Sequence, residues 1–398
     1  MEMIYPNLIK TAAAGLKRVF TDGQYAEQVL EKLLASDKRL GSRDRRFIAG
    51  VFYDIVRFRR HLEELERRQP LADPEDWFLK VCLWLVHAGH ELDNFKEIVG
   101  WDKAKIREPI EESGAVSASV PDWLWELGME ELPDRWAKEI NALNQPAPVY
   151  LRANGLKTNP SELLSILAGE GIEASLVPGH NDALLLHGRT NVIRLGSFRK
   201  GLYEVQDAAS QTIAPFLQVE EGQLIIDACA GAGGKSLHLA ALTGDKAKIV
   251  AMDVEGWKLE EVKKRASRAG IRSVQTEFIR GKKTIKFWTG KADRLLLDAP
   301  CSGLGVLRRH PDSKWKLNPE SIEDVRDTQA EILDGYCRML KPGGIMVYAT
   351  CSLMPGENEL QVNTFLEEHP EFELEAMERT WPSEGWDGFF MARLKKLS

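Results

Sequence analysis

Leu224-Ile225-Ile226-Asp227-Ala228-Cys229-Ala230-Gly231-Ala232-Gly233-Gly234-Lys235-Ser236 is the stretch on which the fold turns. An apolar run ending in an acid passes straight into glycines, and residues 236–242 beyond them have the composition of a helix. The same grammar repeats downstream. Ile249-Val250-Ala251-Met252-Asp253 is a second apolar run, with a helix expected over 259–269. Arg294-Leu295-Leu296-Leu297-Asp298 and Ile345-Met346-Val347-Tyr348-Ala349 are two more. Strands that are apolar throughout, rather than alternating, must be buried on both faces. That predicts an α/β domain over 206–398 with a parallel sheet between helical layers.

Upstream the pattern changes. Val149-Tyr150-Leu151-Arg152 reads as a strand and Asn154-Gly155 as a turn; residues 160–167 read as a helix ended by Gly169 and Gly171. Short strands at 172–177 and 183–186 complete a small α+β module over 145–205. Residues 1–144 are helical instead. Ala26, Val29, Leu30, Leu33 and Leu34 fall on one helix face, and Phe47, Ile48, Val51, Phe52, Ile55 and Val56 on the next. Gly41 and Ser42 separate the two, with Ser42 expected as the N-cap.

An apolar content of 43% beside 28% charged residues is that of an ordinary globular protein. No apolar run approaches the roughly 20 residues of a bilayer span, and the N-terminus lacks a signal-peptide pattern, so a cytoplasmic protein is expected. The five cysteines are odd in number and include no CxxC pair, which argues against a disulfide framework and against a metal site. A net charge of −7 argues against nucleic acid as partner, but the positive charge is clustered. One segment holds Lys38, Arg39, Arg43, Arg45, Arg46, Arg57, Arg59 and Arg60; a second holds Arg280, Lys282, Lys283, Lys286 and Lys291; a third holds Arg308, Arg309, Lys314 and Lys316. Such clusters attract phosphate whatever the global sign, although each alone reads equally well as a solvated face.

Three ligands compete for the Gly-rich turn. A phosphate-cradling loop needs glycine where Cys229 stands, and a dinucleotide fingerprint needs it at Ser236. Both fail at a residue whose missing side chain is the reason for the motif. S-adenosylmethionine, which has no phosphates, asks only for close approach to the strand end. Asp253 ends the next strand, where a carboxylate can accept both ribose hydroxyls of a nucleoside.

Asp298-Ala299-Pro300-Cys301-Ser302-Gly303 and Ala349-Thr350-Cys351-Ser352 each place a thiol just past a strand end. Ligands of open α/β sheets sit outside the carboxyl ends of the strands, so two thiols and an acid are expected beside the nucleoside. Carbon 5 of a cytosine is too weak a nucleophile to take a methyl group directly. A thiolate adding to carbon 6 overcomes this by making an enamine, and a carboxyl such as Asp298 can hold the N3 edge of the ring. This chemistry does not rank the two cysteines.

These stretches, together with 205–211, 306–312, Glu357-Asn358-Glu359 and Gly388-Phe389-Phe390, resemble the RNA 5-methylcytosine methyltransferases of the RsmB/NOL1/NOP2/Sun family. The resemblance implies a Rossmann-like S-adenosylmethionine-dependent methyltransferase domain at 206–398 and an RNA-recognition-like module at 145–205. It further implies an all-α NusB-like RNA-binding domain with its linker at 1–144, where Leu40-Gly41-Ser42-Arg43-Asp44-Arg45-Arg46 carries the likeness. Position by position, Cys351 is the thiol that attacks carbon 6, Cys301 the one that assists product release, and Asp298 the acid at the base and cofactor. Cys229, Ala230, Gly231, Ala232, Gly233, Gly234, Lys235, Asp253 and Asp298 are the implied S-adenosylmethionine contacts, with no metal. The implied activity is methylation of cytosine carbon 5 in RNA, above all 16S (small-subunit) ribosomal RNA, by a monomer that engages no membrane. Two departures stand out. Gly231 and Ala232 replace the family's Ala and Pro, and Arg280-Gly281-Lys282-Lys283 stands where an acid meets the adenine. The second motivates an alternative, a non-catalytic RNA-binding or ribosome-assembly factor on the same scaffold; another keeps the chemistry and moves it to transfer RNA.

Overall fold

The structure, a computed structural model, describes residues 4–110, 114–188 and 190–397. The chain divides into two units, Met1–Gln145 with Leu307–Pro319, and Pro146–Val306 with Glu320–Ser398. Among the described residues no helix is long and apolar enough to cross a membrane.

The first unit is built from α1 (Pro6–Phe20), α2 (Ala26–Ser36), α3 (Ser42–Arg57), α4 (Arg59–Arg68), α5 (Trp77–His87), α6 (Asp122–Glu131) and α7 (Trp136–Leu143). The apolar faces of α1 to α5 meet in one core that includes Ile9, Leu16, Val29, Ile48, Phe52, Ile55, Leu62 and Val81. The N-cap of α3 is Gly41, not Ser42, which is already helical. Asp44 reaches back to accept the Gly41 N–H at 3.2 Å, closing the turn that the sequence assigns to a serine hydroxyl. Leu307–Pro319, far away in sequence, packs here. Its Asp312 accepts the Ala26 N–H at 3.0 Å, satisfying the otherwise uncapped start of α2, while Trp315 Nε1 donates to the Val56 carbonyl at 2.6 Å.

The second unit begins with a four-stranded antiparallel sheet in the order β2-β3-β1-β4, made of β1 (Tyr150–Ala153), β2 (Ala174–Leu176), β3 (Ala183–Leu186) and β4 (Tyr203–Val205). α8 (Pro160–Gly169) joins β1 to β2, capped by Asn159, whose side chain accepts the Glu162 N–H at 3.0 Å. The main sheet follows, with β5 (Leu224–Asp227), β6 (Lys248–Asp253), β7 (Val274–Phe278), β8 (Ala292–Asp298), β9 (Leu340–Thr350), β10 (Phe372–Thr380) and β11 (Phe389–Lys396) in the order β10-β11-β9-β8-β5-β6-β7. β5 to β9 are parallel, and β10 and β11 extend the sheet antiparallel. Its flanking helices are α9 (Ala208–Phe216), α10 (Gly234–Leu242), α11 (Gly256–Ala269), α12 (Lys282–Trp288), α13 (Pro319–Tyr336) and α14 (Glu359–Glu368).

The apolar strands are buried on both sides, as their composition requires. Ile226, Leu295, Leu297, Met346 and Tyr348 enter one core, and Ile225, Ile249, Leu296, Val347 and Ala349 the other. Strand order runs one way from β5 through β6 to β7 and the other way from β8 to β9, so a crevice opens at the carboxyl ends of β5 and β8. The small sheet is fastened beside it by buried polar contacts. Arg152 donates to the Gly234 carbonyl at 2.7 Å, and Glu204 receives Arg265 at 2.9 Å and Arg268 at 2.6 Å.

Candidate active site

The turn after β5 borders open space. Gly231 has a φ of 54°, and a side-chain carbon added there would meet nothing within 4 Å. Gly233, at φ 84°, differs: the same addition would strike Val262 of α11 at 2.9 Å, so this glycine serves helix packing. Asp253, at the end of β6, accepts the Gly231 N–H at 2.9 Å and, through its other oxygen, the Glu255 N–H at 2.9 Å. Its carboxylate is thus held at the lip of the turn with lone pairs to spare, the arrangement a ribose diol needs. Ala230 is buried, and the Ala232 carbonyl accepts from Arg265 at 2.9 Å. Burial, and then the charges of Asp227, Asp298 and Asp253, push the Cys229 thiol well up, which leaves it an inert neutral group.

Lys235, in the first turn of α10, crosses to the other half of the crevice. Its Nζ donates to Asp298 Oδ2 at 2.6 Å and lies 5.6 Å from the centre of the Phe389 ring. Burial works against the ammonium, but Asp298, Asp227 and Cys351 outweigh it and raise the Lys235 pKa. The ion pair joins the Gly-rich turn to the strand end that carries Cys301.

The two thiols meet. Cys301 Sγ lies 3.1 Å from Cys351 Sγ, and the Cys351 N–H donates to Cys301 Sγ at 3.3 Å. Both are free and half-buried. The hydrogen bond to Cys351, burial and the charges of Cys351 and Glu357 push the Cys301 thiol well above its ordinary range, and either sulfur can be the donor of the pair. Gly305 allows the loops to close: its N–H donates to the Cys351 carbonyl at 2.8 Å, and any side chain there would collide with that oxygen and with Gly388.

Glu357 was assigned no role from the sequence. It is fully buried. One oxygen receives the hydroxyls of both Ser302 and Ser352; the other receives the Ser302 N–H at 2.8 Å and Gln329 Nε2 at 3.1 Å. Each serine directly follows a cysteine, so one carboxylate clamps both thiol-bearing loops. The repeated Cys-Ser pair was the available signal, but nothing local says that an acid lies beneath both copies. Asp227 was likewise not singled out. It is fully buried, takes the Ser236 hydroxyl at 2.6 Å on one oxygen and has no hydrogen-bond partner on the other. Burial raises its pKa to about 7. Arg280 is exposed beyond β7, and its N–H donates to Thr284 Oγ1 at 3.1 Å.

Residues 214–395 match a family model described as 16S rRNA methyltransferase RsmB/F, and residues 120–193 match one described as the ferredoxin-like domain of RsmF/B-like methyltransferases. Ribosomal RNA small subunit methyltransferase B of Shewanella oneidensis is 38% identical over 301 residues, covering 72% of this chain and 69% of that protein. The protein of the same name from Vibrio cholerae is 38% identical over 284 residues, 69% of this chain and 65% of its own length. The matches therefore span about two thirds of these relatives. The crystal structure of PH0851 superposes with a TM-score of 0.84 at 25% identity, over 99% of this chain and 100% of that one. A methyltransferase homolog protein from Pyrococcus horikoshii superposes with a TM-score of 0.64 at 26% identity, over 71% of this chain and 97% of its own.

Proposed function

The chain belongs to the RsmB/F family of 16S rRNA methyltransferases, and from that premise we propose that it methylates carbon 5 of a cytosine in RNA through a covalent thiol adduct. The single observation that carries the proposal is the thiol pair, 3.1 Å apart at the ends of β8 and β9 and linked through Asp298 and Lys235 to the Gly-rich turn. Methylation of an oxygen or an exocyclic amine has no use for two adjoining thiols; carbon 5 of a pyrimidine does.

The residues fit S-adenosylmethionine: open space over Gly231, a diol-accepting Asp253 and a buried Asp227 oxygen without a partner. When bound, it supplies the methyl group that carbon 5 takes. Cys351 Sγ adds to carbon 6 of the base, breaking the 5,6 double bond and passing electron density to carbon 5. Cys301 Sγ lies 3.1 Å from the attacking sulfur, within reach to exchange a proton with it. Asp298 meets the N3 edge of the base, where its carboxylate, fixed by Lys235, can accept from the exocyclic amine. Cys301, as a thiolate, takes the carbon-5 proton; the C–H electron pair restores the 5,6 double bond and the Cys351 sulfur leaves as a thiolate. The base must be unstacked to reach the crevice, so a single-stranded loop or bulge is the expected target. Membership makes small-subunit ribosomal RNA the first substrate to test.

Incubation with labelled S-adenosylmethionine and unmodified small-subunit ribosomal RNA should give 5-methylcytosine on nuclease digestion. Incorporation at another atom, or none with any RNA, overturns the proposal. On a denaturing gel, Cys301→Ala should accumulate a covalent RNA adduct and Cys351→Ala should form none; the opposite pattern exchanges the two roles.

A further inference from the structure

In the reading above the crevice takes the target base, and the basic stretch around α12 is given no part in it. Between Glu277 and Asp293 the chain has five cations and no acid: Arg280, Lys282, Lys283, Lys286 and Lys291. All are exposed. None forms an ion pair among the described residues, in a protein whose net charge is −7. Lys282 and Lys286 are four apart and Lys283 and Lys286 three apart on the same short helix, spacings at which like charges repel.

The helix also exposes an aromatic ring. Ile285 and Trp288 are buried and anchor α12 to the sheet, which turns Lys283, Lys286 and Phe287 outward. Phe287 is 63% exposed, with Lys291 Nζ 3.6 Å from its ring centre. Lys291 covers one face of the ring, and the ring's remaining exposed surface beside lysines that no acid neutralises is what single-stranded nucleic acid uses, a base on the aromatic and phosphates on the cations. Its placement is also suitable. Arg280 and Lys282 follow the carboxyl end of β7, the edge of the sheet that holds Asp253 and both thiol loops, and Lys291 precedes β8 at the opposite edge.

We propose that α12 and its flanks are a docking track for the single-stranded RNA beside the target cytosine, with phosphates on Arg280, Lys282, Lys283 and Lys286 and one base stacked on Phe287. The proposal rests on the RNA reading above, and it gives Arg280 a ligand other than the adenine.

The test uses the full chain and a fluorescent single-stranded RNA of about 16 nucleotides with a central cytosine, its Kd followed through a salt titration. Each phosphate contact on a single strand contributes about 0.7 to the slope of log K against log salt, so Lys283→Gln with Lys286→Gln should lower that slope by about 1.4. Phe287→Ala should weaken binding about tenfold at every salt concentration and leave the slope alone. Arg59→Gln, in the helical unit, is the control and should change neither. S-adenosylmethionine binding, measured by calorimetry, should stay at the wild-type value in all three variants. If the wild type binds no RNA, the RNA reading fails and takes this proposal with it. If the wild type binds and the α12 variants keep its Kd and slope, only the track is overturned.

Discussion

The thiol crevice and the face of α12 belong to the same folding unit and treat polar groups in opposite ways. In the crevice, nearly every buried polar atom is held by a neighbour: Glu357 by two serines and a glutamine, Asp298 by Lys235, Asp253 by two backbone N–H groups. The lysines of α12 form no ion pair among the described residues. The difference reflects what each region must do. Chemistry needs its groups fixed before the substrate arrives, whereas recognition of a charged polymer needs charges that the fold has left available. The helical unit confirms that the contrast lies in pairing and not in composition. Its basic segment holds more cations than the stretch around α12, yet Arg59 pairs with Glu63 and Glu66, Arg60 with Glu63 and Asp122, and Arg57 with Asp54.

The largest test bears on a weak point of the crevice, the buried Asp227 oxygen without a partner. Asp227 has a pKa of about 7 in the folded protein against 3.8 in the unfolded chain. Below about pH 4 both states are protonated. Between about pH 4 and pH 7 only the folded state keeps the proton, so stability falls as pH rises through that window and levels off above it, a loss of about 4 kcal/mol. Asp227→Asn cannot ionise and should lack this fall. Urea unfolding of both proteins on either side of the window measures it; a wild-type minus variant difference that does not change with pH would show that the crevice holds Asp227 charged after all.

Next comes the clamp. Glu357→Gln keeps the shape but presents an amide where acceptors are needed, so one or both thiol loops must shift. A misplacement of about 1 Å at a reacting atom costs about a hundredfold, and the loss should fall on kcat, with KM for RNA and cofactor affinity near wild type. Full kcat in the glutamine variant would mean that the thiols hold their own positions.

The smallest effect belongs to the paired cations of the helical unit. Arg59→Gln removes two partly exposed ion pairs, and the loss of each should cost about 0.2–1 kcal/mol of stability, read from the urea midpoint. A large loss of RNA affinity in that variant would erase the distinction between paired and unpaired basic segments.

Much of this was legible in residue order. The buried parallel strands followed from apolar runs, because a strand with no polar face has nowhere to sit except between two layers. The strand-end positions of Asp253, Asp298, Cys301 and Cys351 followed from the same runs, because parallel topology gathers strand ends on one edge. Local chemistry was less secure where two residues compete for one task, as at the start of α3, where Asp44 closes the turn expected of Ser42. The antiparallel strands β10 and β11 were not anticipated: their sequences mix charge with apolar residues and give no clean period.

What residue order could not contain is pairing between distant positions. Glu357 meets Ser302 across 55 residues, Lys235 meets Asp298 across 63, and Asp312 caps a helix 286 residues earlier. Whether a lysine is matched by an acid or left bare depends on what the completed fold brings within about 4 Å of it. Composition and periodicity are local quantities and settled four of the parallel strands, the turn and the strand-end places of the thiols. Electrostatic pairing is a property of three-dimensional distance, and only the folded chain decided it.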